Sequence, residues 1–232
     1  MKMLGITAAA HNIGVAFVED GKCRAQFSIS GKEVHSEDLV QLIERISTES
    51  GISLGDLGGI AVAEGPGSYG GLRGSVTTAK TLAQVNNIPV VGIPTLEAIA
   101  FSLRHINGTI LILLNACRSD FNAALFAGRD GDPSIPPAAG LGTGTERLTE
   151  DMIIGEERIV ELLRQVSGQL YIACDRQLAV PTGAIFLSIE GIDPIGVALL
   201  GEKKIAAGET DELLELTPVY SHNPKFKEHK WS

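Results

Sequence analysis

The chain has 232 residues, of which 44% are hydrophobic and 20% are charged, so it can fold as one or two domains with a substantial core. Its net charge of −9 argues against unaided binding to a nucleic-acid backbone, because such binding depends on clusters of Lys and Arg. The three cysteines form no CxxC pair and no apolar run is long enough for a signal peptide or a membrane span, so we expect a cytoplasmic protein without membrane association.

The first half of the chain reads as alternating strands and helices. An Asp20-Gly21 pair predicts a hairpin turn, and Ser36 is a plausible helix N-cap. The periodicity of the apolar residues predicts strands over 2–7, 13–19, 22–28, 59–63 and 89–93, and helices over 36–50, over 71–85 and from Thr95.

The opening pattern then recurs, with a strand over 109–115, a polar turn and a strand over 121–127. When the two patterns are superposed, Thr7 falls on Asn115 and Ile13 on Phe121. We interpret this as an internal duplication of a strand-hairpin unit, the alternative being chance similarity of two amphipathic hairpins. The remaining residues predict a long loop over 132–145, a helix over 156–166, a strand over 170–174, a short helix over 194–200 and a mobile basic tail over 221–232.

Two such units indicate an α/β protein with mixed sheets flanked by helices, divided into residues 1–104 and 105–232. The actin, hexokinase and Hsp70 superfold, which is ribonuclease H-like, is built from duplicated units of this kind. Proteins of that superfold bind nucleotide between their halves, where the two hairpin turns clasp it.

The most unusual segment is GPGSYGGLRGSVTTAKTLA, residues 65–83, in which five of the first ten residues are glycine. A Walker A loop needs a Lys after its last glycine, but Gly71 and Leu72 follow Gly70, so that interpretation fails. The segment fits the dinucleotide pattern G-x-G-x-x-G, yet no acidic residue ends the next strand to hold a ribose hydroxyl. A dinucleotide-binding oxidoreductase therefore stays a weak alternative.

The same segment resembles the GPGSFTGLRIG…AKGLA segment of the TsaB (YeaZ) family, and the similarity continues through HSEDLVQLIERI, GIPTLEAIA and TPVYSH. The resemblance implies a non-catalytic subunit of the bacterial complex that makes N6-threonylcarbamoyladenosine at position 37 of tRNA. It implies a TsaD-like catalytic partner, a TsaE-like ATPase and, for the chain alone, a homodimer. It further implies that tRNA is met only indirectly, that no cofactor is intrinsic, and that ATP or ADP binds only at the interface with partners.

Catalysis by this chain alone is not expected. The family commonly carries Asp at the end of each first strand, whereas this sequence has Thr7 and Asn115, which cannot neutralise Mg²⁺ as carboxylates do. No two of the five histidines have the HxxxH spacing of the catalytic relative, so we expect no metal site. Thr7, Asn115, Gly65, Gly67 and Ser68 remain possible nucleotide-facing positions, and the alternative function is a nucleotide hydrolase or small-molecule kinase of the actin superfold.

The helices over 36–50 and 71–85 are the predicted partner interface. Ahead of the second helix, Gly65 and Gly67 are expected to let the chain turn with positive φ, and Ser68 is expected to cap the helix. The second helix carries small residues at four-residue spacing, which allow another helix to approach closely. The first carries more apolar residues than one stripe needs. The predicted interface residues are Leu39, Leu42, Ile43, Ile46, Gly70, Leu72, Gly74, Ser75 and Thr78.

Overall fold

The structure is a computed structural model that describes residues 1–31, 38–116, 120–128, 145–164, 166, 168–178 and 183–221. Its first sheet has the order β3-β2-β1-β4-β5. The β1–β2 and β2–β3 pairs are antiparallel, and β4 and β5 extend the sheet in parallel to β1. The strands are β1 (Lys2–Thr7), β2 (Asn12–Glu19), β3 (Lys22–Ser30), β4 (Gly59–Gly65) and β5 (Val90–Pro94).

The second sheet has the order β11-β10-β6-β7-β8, with β9 paired to β7. Here β6 and β7 form the antiparallel hairpin, and β10 and β11 extend the sheet in parallel to β6. The pattern repeats that of the first sheet, and Thr7 and Asn115 each end the first strand of their unit, which confirms the predicted duplication and fold class. The strands are β6 (Gly108–Asn115), β7 (Phe121–Gly128), β8 (Thr145–Arg147), β9 (Met152–Ile154), β10 (Leu170–Cys174) and β11 (Ala184–Ser188).

Five α-helices cover the sheets in the described part of the chain: α1 (Asp38–Ser50), α2 (Tyr69–Asn86), α3 (Thr95–Ser102), α4 (Glu156–Leu163) and α5 (Pro194–Ala206). Helices α1 and α2 pack on one face of the first sheet, where Leu4, Ile6, Ile46 and Val76 share a core cluster. A second cluster joins the opposite face of that sheet to α3, α5 and the second sheet. Helix α4 contributes to a third cluster with the far side of the second sheet.

Helix α5 follows the second sheet in sequence but packs against the first. A Cβ atom added at Gly5 on β1 would lie 2.7 Å from the backbone nitrogen of Ala198, so the helix and the strand meet with no room for a side chain between them. Asn12 fixes the start of the helix region, because its amide donates to the carbonyl oxygen of Ile192 and accepts from the Ile192 N–H, both at 2.9 Å. The predicted division at residue 104 stays a prediction, and it would separate the two sheets but assign α5 to the unit it does not cover.

After α5, residues 211–220 run back across the first unit; we call them the strap. The Asp211 carboxylate accepts from the Gly92 N–H at 2.7 Å, and Lys80 donates to the Leu216 carbonyl at 2.9 Å. The Val219 N–H donates to the Glu64 carbonyl at 2.8 Å. The strap thereby ties β4, β5 and α2 together.

The element boundaries mostly follow the sequence predictions, but α4 ends at Leu163 instead of at residue 166, and further differences occur. Helix α2 begins at Tyr69 and α5 extends to Ala206, both beyond the predicted bounds. Strands β8, β9 and β11 were not predicted. Strands β8 and β9 are only three residues long, and the sequence of β11, AIFLS, does not alternate between apolar and polar residues. The Ser36 cap, most of the loop over 132–145 and residues 222–232 of the predicted tail lie outside the described residues.

Candidate functional sites: the glycine loop, the cleft and the helical face

The glycine loop packs directly on the turn between β1 and β2, residues 8–11, which we call the first hairpin turn. Gly65 has a φ of +131°, and a Cβ there would strike the Val219 carbonyl oxygen of the strap. Gly67 was expected to need a positive φ, but it does not have one; a side chain there would instead collide with the backbone of Ala9. Gly71 excludes a side chain for the same reason, because its Cβ would meet the carbonyl oxygen of Ala8.

Amide groups of this loop are directed at the chain itself. The Ser68 N–H donates to the Ala9 carbonyl at 2.7 Å, and the Gly71 N–H donates to the Ser68 hydroxyl at 3.5 Å, which makes Ser68 the N-cap of α2 as expected. A phosphate-binding loop needs such N–H groups to point at the ligand. The glycines therefore allow close packing between α2 and the first hairpin.

Thr7 and Asn115 lie at the two hairpin turns but in different surroundings. Thr7 is fully buried, and its hydroxyl has no hydrogen-bond partner in the described part of the chain. Asn115 is exposed, and its N–H donates to both carboxylate oxygens of Asp175 at 3.0 and 3.1 Å. Neither residue supplies a carboxylate, so a Mg²⁺-dependent phosphate site would lack its usual anionic ligands at both positions.

We call the space between the two hairpin turns the cleft, and one contact between the two units crosses it. His11 of the first hairpin turn places Nε2 at 3.7 Å from Oδ2 of Asp175, which follows β10 in the second sheet. The Asp175 side chain is only 7% exposed, whereas that of His11 is 68% exposed. A carboxylate at this position would repel the phosphates of a nucleotide entering between the turns.

Two groups with perturbed pKa values lie outside the cleft turns. Burial raises the pKa of the Cys174 thiol to about 11, so this cysteine stays protonated and is a poor nucleophile. Burial, with further repulsion from Asp211 and Glu97, raises the pKa of Glu64, while Lys204 opposes the shift. Among the described residues no group of three or more His, Cys, Asp or Glu side chains could hold a metal ion.

The predicted interface residues divide by burial. The apolar residues Leu39, Leu42, Ile43 and Ile46 of α1, together with Leu72 and Ser75 of α2, lie inside the chain's own core. Their assignment to an exposed docking surface is corrected, because one face of each helix is needed to cover the sheet. Gly70 is exposed, with nothing within 4 Å of an added Cβ, while Gly74 and Thr78 are half-buried.

Other features were missed from the sequence. Val40 on α1 is 59% exposed and Val85 on α2 is 76% exposed, so each helix presents an apolar residue to solvent. Val40 is one of the apolar residues of α1, but the sequence alone does not show that it points outward, because that depends on which residues cover the sheet. The His11–Asp175 contact joins residues 164 positions apart, and no local pattern marks it.

The family described as TsaD, tRNA N6-adenosine threonylcarbamoyltransferase, matches residues 25–129. The TsaB biosynthesis protein of Escherichia coli (strain K12) is 27% identical over 96% of this chain and 95% of that protein. TsaB of Bacillus subtilis (strain 168) is 31% identical over 56% of this chain and 57% of that protein. The tRNA N6-adenosine threonylcarbamoyltransferase of Bradyrhizobium diazoefficiens is 30% identical over 79% of this chain, which spans half the length of that enzyme.

Solved structures agree with the fold. YeaZ from Pseudomonas aeruginosa superposes with a TM-score of 0.74 at 17% identity, covering 94% of this chain and all of that one. A second Pseudomonas aeruginosa protein, described as similar to peptidase YEAZ, gives a TM-score of 0.75 at 16% identity, with coverage of 95% and 99%. The resemblance stated from the glycine segment is thus confirmed. No described helix is long and apolar enough to span a membrane.

Proposed function

Because the chain resembles the TsaB (YeaZ) proteins along most of its length, we propose that it is a non-catalytic subunit of the complex that forms threonylcarbamoyladenosine at position 37 of tRNA. Its role is to dock a TsaD-like catalytic subunit. The observation that supports this most directly is the match to Escherichia coli TsaB, which extends over 96% of the chain. In this proposal a TsaE-like ATPase joins the two in the cytoplasm, this chain meets tRNA only indirectly, through the catalytic partner, and the chain alone forms a homodimer.

The cleft supports the non-catalytic part of the proposal. Thr7 and Asn115 provide no carboxylate, and Asp175 contacts His11 where phosphates would enter. The buried Cys174 stays a protonated thiol. No cofactor is intrinsic in this proposal, and ATP or ADP binds only where a partner completes the site.

The exposed faces of α1 and α2 are the proposed docking surface. The two helices contact one another, so Val40 and Val85 lie on neighbouring helices above the same sheet. Gly70 adds a position where another backbone can approach without a side chain between. A partner helix covering this surface would bury apolar area that water otherwise contacts.

The docking surface is tested with the double variant Val40→Asp/Val85→Asp in the full chain. Both side chains are exposed, so the fold should persist while association with a TsaD-like subunit weakens at least tenfold in ultracentrifugation. Val160→Asp on α4, a valine 47% exposed on the other unit, is the matched control and should bind normally. Equal binding by all three proteins would refute this surface.

Gly74→Leu is a second test of the same face. A bulky side chain at this half-buried position should weaken association by about 1–3 kcal/mol, the usual scale of overpacking. Circular dichroism must show an intact fold for the result to count. Unchanged self-association and unchanged partner binding would place Gly74 outside the interface.

The alternative, a nucleotide hydrolase or small-molecule kinase, is distinguished by calorimetry with Mg-ATP followed by a turnover assay. Micromolar binding with steady hydrolysis by this chain alone would overturn the scaffold proposal. We expect neither, because the two carboxylates that such chemistry needs are absent at Thr7 and Asn115.

A further inference from the structure

Strand β5 ends the strand order on one side of the first sheet. The main chain of an edge strand directs N–H and C=O groups away from the sheet, and these groups can pair with a strand of another chain. In this protein the residues of β5 from Val90 to Ile93 are buried. The groups that meet the outer edge of β5 come from α5 and from the strap.

Asp211 of the strap bonds to β5 in the way that a neighbouring strand would. Its N–H donates to the Val90 carbonyl oxygen at 3.0 Å, and its carboxylate accepts from the Gly92 N–H at 2.7 Å. A residue in a parallel ladder bonds to two residues of its neighbour that lie two positions apart. The Asp211 carboxylate thus takes the place of a strand carbonyl, and Lys204 of α5 donates to the Gly92 carbonyl oxygen at 3.4 Å.

The strap has a firm anchor at Leu216 and a weaker contact at Asp211. Leu216 is only 4% exposed, and a Cβ added at Gly92 would lie 2.9 Å from its Cδ1 atom. Asp211 is exposed, and its carboxylate repels that of Glu64, whose pKa is raised by burial and by this repulsion. The contact of Asp211 with β5 can therefore break while Leu216 stays in the core.

The opposite edge of the same sheet has protection of its own. Strand β3 carries Lys22 and Arg24, and its pairing with β2 shifts register between Phe17 and Val18. Charged side chains and bulges both discourage pairing between sheet edges. The sequence of β5, VVGIP, has no charged side chain, so this edge depends on its cover.

We propose that the strap is a releasable cover for the β5 edge, and that release of Asp211 lets β5 of a second copy of this chain pair with it. Two identical edges related by a two-fold axis can pair in antiparallel orientation. Because β5 is uncharged, this pairing places no like charges opposite one another. The association uses neither Val40 nor Val85 and is independent of the proposed function.

The cover is tested by amide hydrogen exchange, followed by NMR in the full chain. Asp211→Ala removes the acceptor of the Gly92 N–H, so at low protein concentration that amide should exchange about tenfold faster. Asp211→Asn keeps an oxygen acceptor and should stay within about threefold of the wild-type rate. Glu209→Ala, an exposed carboxylate just before the strap, is the matched control and should exchange as the wild type does.

The pairing is tested by raising the protein concentration. In Asp211→Ala the Gly92 amide should become protected again, and sedimentation velocity should show a larger species, because a second β5 then occupies the edge. Both comparisons are made in the Val40→Asp/Val85→Asp background, which removes association through α1 and α2 and so separates this proposal from the docking proposal. The same protein with Asp211 intact should show neither change.

Two results would overturn the proposal. A wild-type exchange rate at Gly92 in Asp211→Ala would show that Asp211 does not cover the edge. Fast exchange at every concentration, with unchanged sedimentation, would show that the uncovered edge does not pair. Lys204→Met, which removes the donor to the Gly92 carbonyl oxygen, should give the same changes more weakly and decides the question if Asp211→Ala does not fold.

Discussion

Thr7 ends β1, a position at which the resemblance of the sequence led us to expect an aspartate, but it is fully buried and its hydroxyl has no partner among the described residues. A buried polar group without a hydrogen bond costs about 1–3 kcal/mol. Thr7 therefore fits the fold without providing a ligand. Replacing it with an apolar residue and replacing it with a carboxylate should have opposite effects on stability.

Thr7→Val should leave the free energy of unfolding unchanged or raise it by about 1 kcal/mol, because it removes the unpaired hydroxyl at similar size. Thr7→Asp should lower it by about 3 kcal/mol or more, since a carboxylate would be buried without a partner. Urea denaturation measures both, with Thr77→Val on the exposed face of α2 as the control. A stable Thr7→Asp protein that binds Mg-ATP would contradict this account.

Glu64 introduces a pH dependence at the contact between β4 and the strap. Burial and the neighbouring Asp211 and Glu97 raise its pKa, with Lys204 acting in the opposite direction. The folded state therefore binds the Glu64 proton more tightly than the unfolded state does, so this residue lowers stability at neutral pH. That penalty disappears as the pH falls through the raised pKa towards the ordinary value of 4.5.

Glu64→Gln should raise the melting temperature at pH 7 by about 2 °C, which corresponds to under about 1 kcal/mol for a domain of this size. The gain is small because the group is partly exposed and solvent screens its charge. At pH 4 the variant and the wild type should melt together. A variant that melts lower than the wild type at pH 7 would mean that the Glu64 carboxylate stabilises the strap.

At the scale of elements, helix α2 contains two neighbouring glycines with opposite requirements. Gly71→Ala should lower the free energy of unfolding by about 1–3 kcal/mol, because its Cβ would collide with the Ala8 carbonyl oxygen. Gly70→Ala should raise it by about 0.5–1 kcal/mol, because an added Cβ meets nothing and alanine favours the helix. Chemical denaturation of the pair checks the difference, and equal effects would show that α2 does not approach the first hairpin this closely.

The sequence was sufficient to predict most elements because their periodicity is local. The extent of β1 and β10 and the Ser68 cap followed from patterns within a few residues. The contacts of α5 with β1 did not, because they join distant segments and leave no local trace. The apolar residues of α1 were wrongly predicted to form a docking surface for the same reason. The sequence shows how many apolar residues a helix has, but not how many of them the sheet covers.

At the scale of the whole molecule, Asp175 performs two tasks at the cleft. Its carboxylate accepts a hydrogen bond from the Asn115 N–H at the end of β6 and contacts His11 of the other half. Asp175→Ala should cost about 1–3 kcal/mol, because it removes the charged acceptor of that N–H, and hydrogen bonds to charged groups are stronger than neutral ones. His11→Gln should cost less than about 1 kcal/mol, because the imidazole is largely exposed. Thermal denaturation separates the two, and equal losses would show that the contact across the cleft dominates.

The position of α5 in the chain has a consequence for synthesis. The face of the first sheet that carries Met3, Ala61 and Val91 is covered by a helix formed from residues 194–206. At typical translation rates of 5–20 residues per second, roughly 10–40 s separate the appearance of β1 from that of its covering helix. During that interval α5 has not been made, so any first sheet that has already formed exposes this apolar face to other chains and is prone to aggregate.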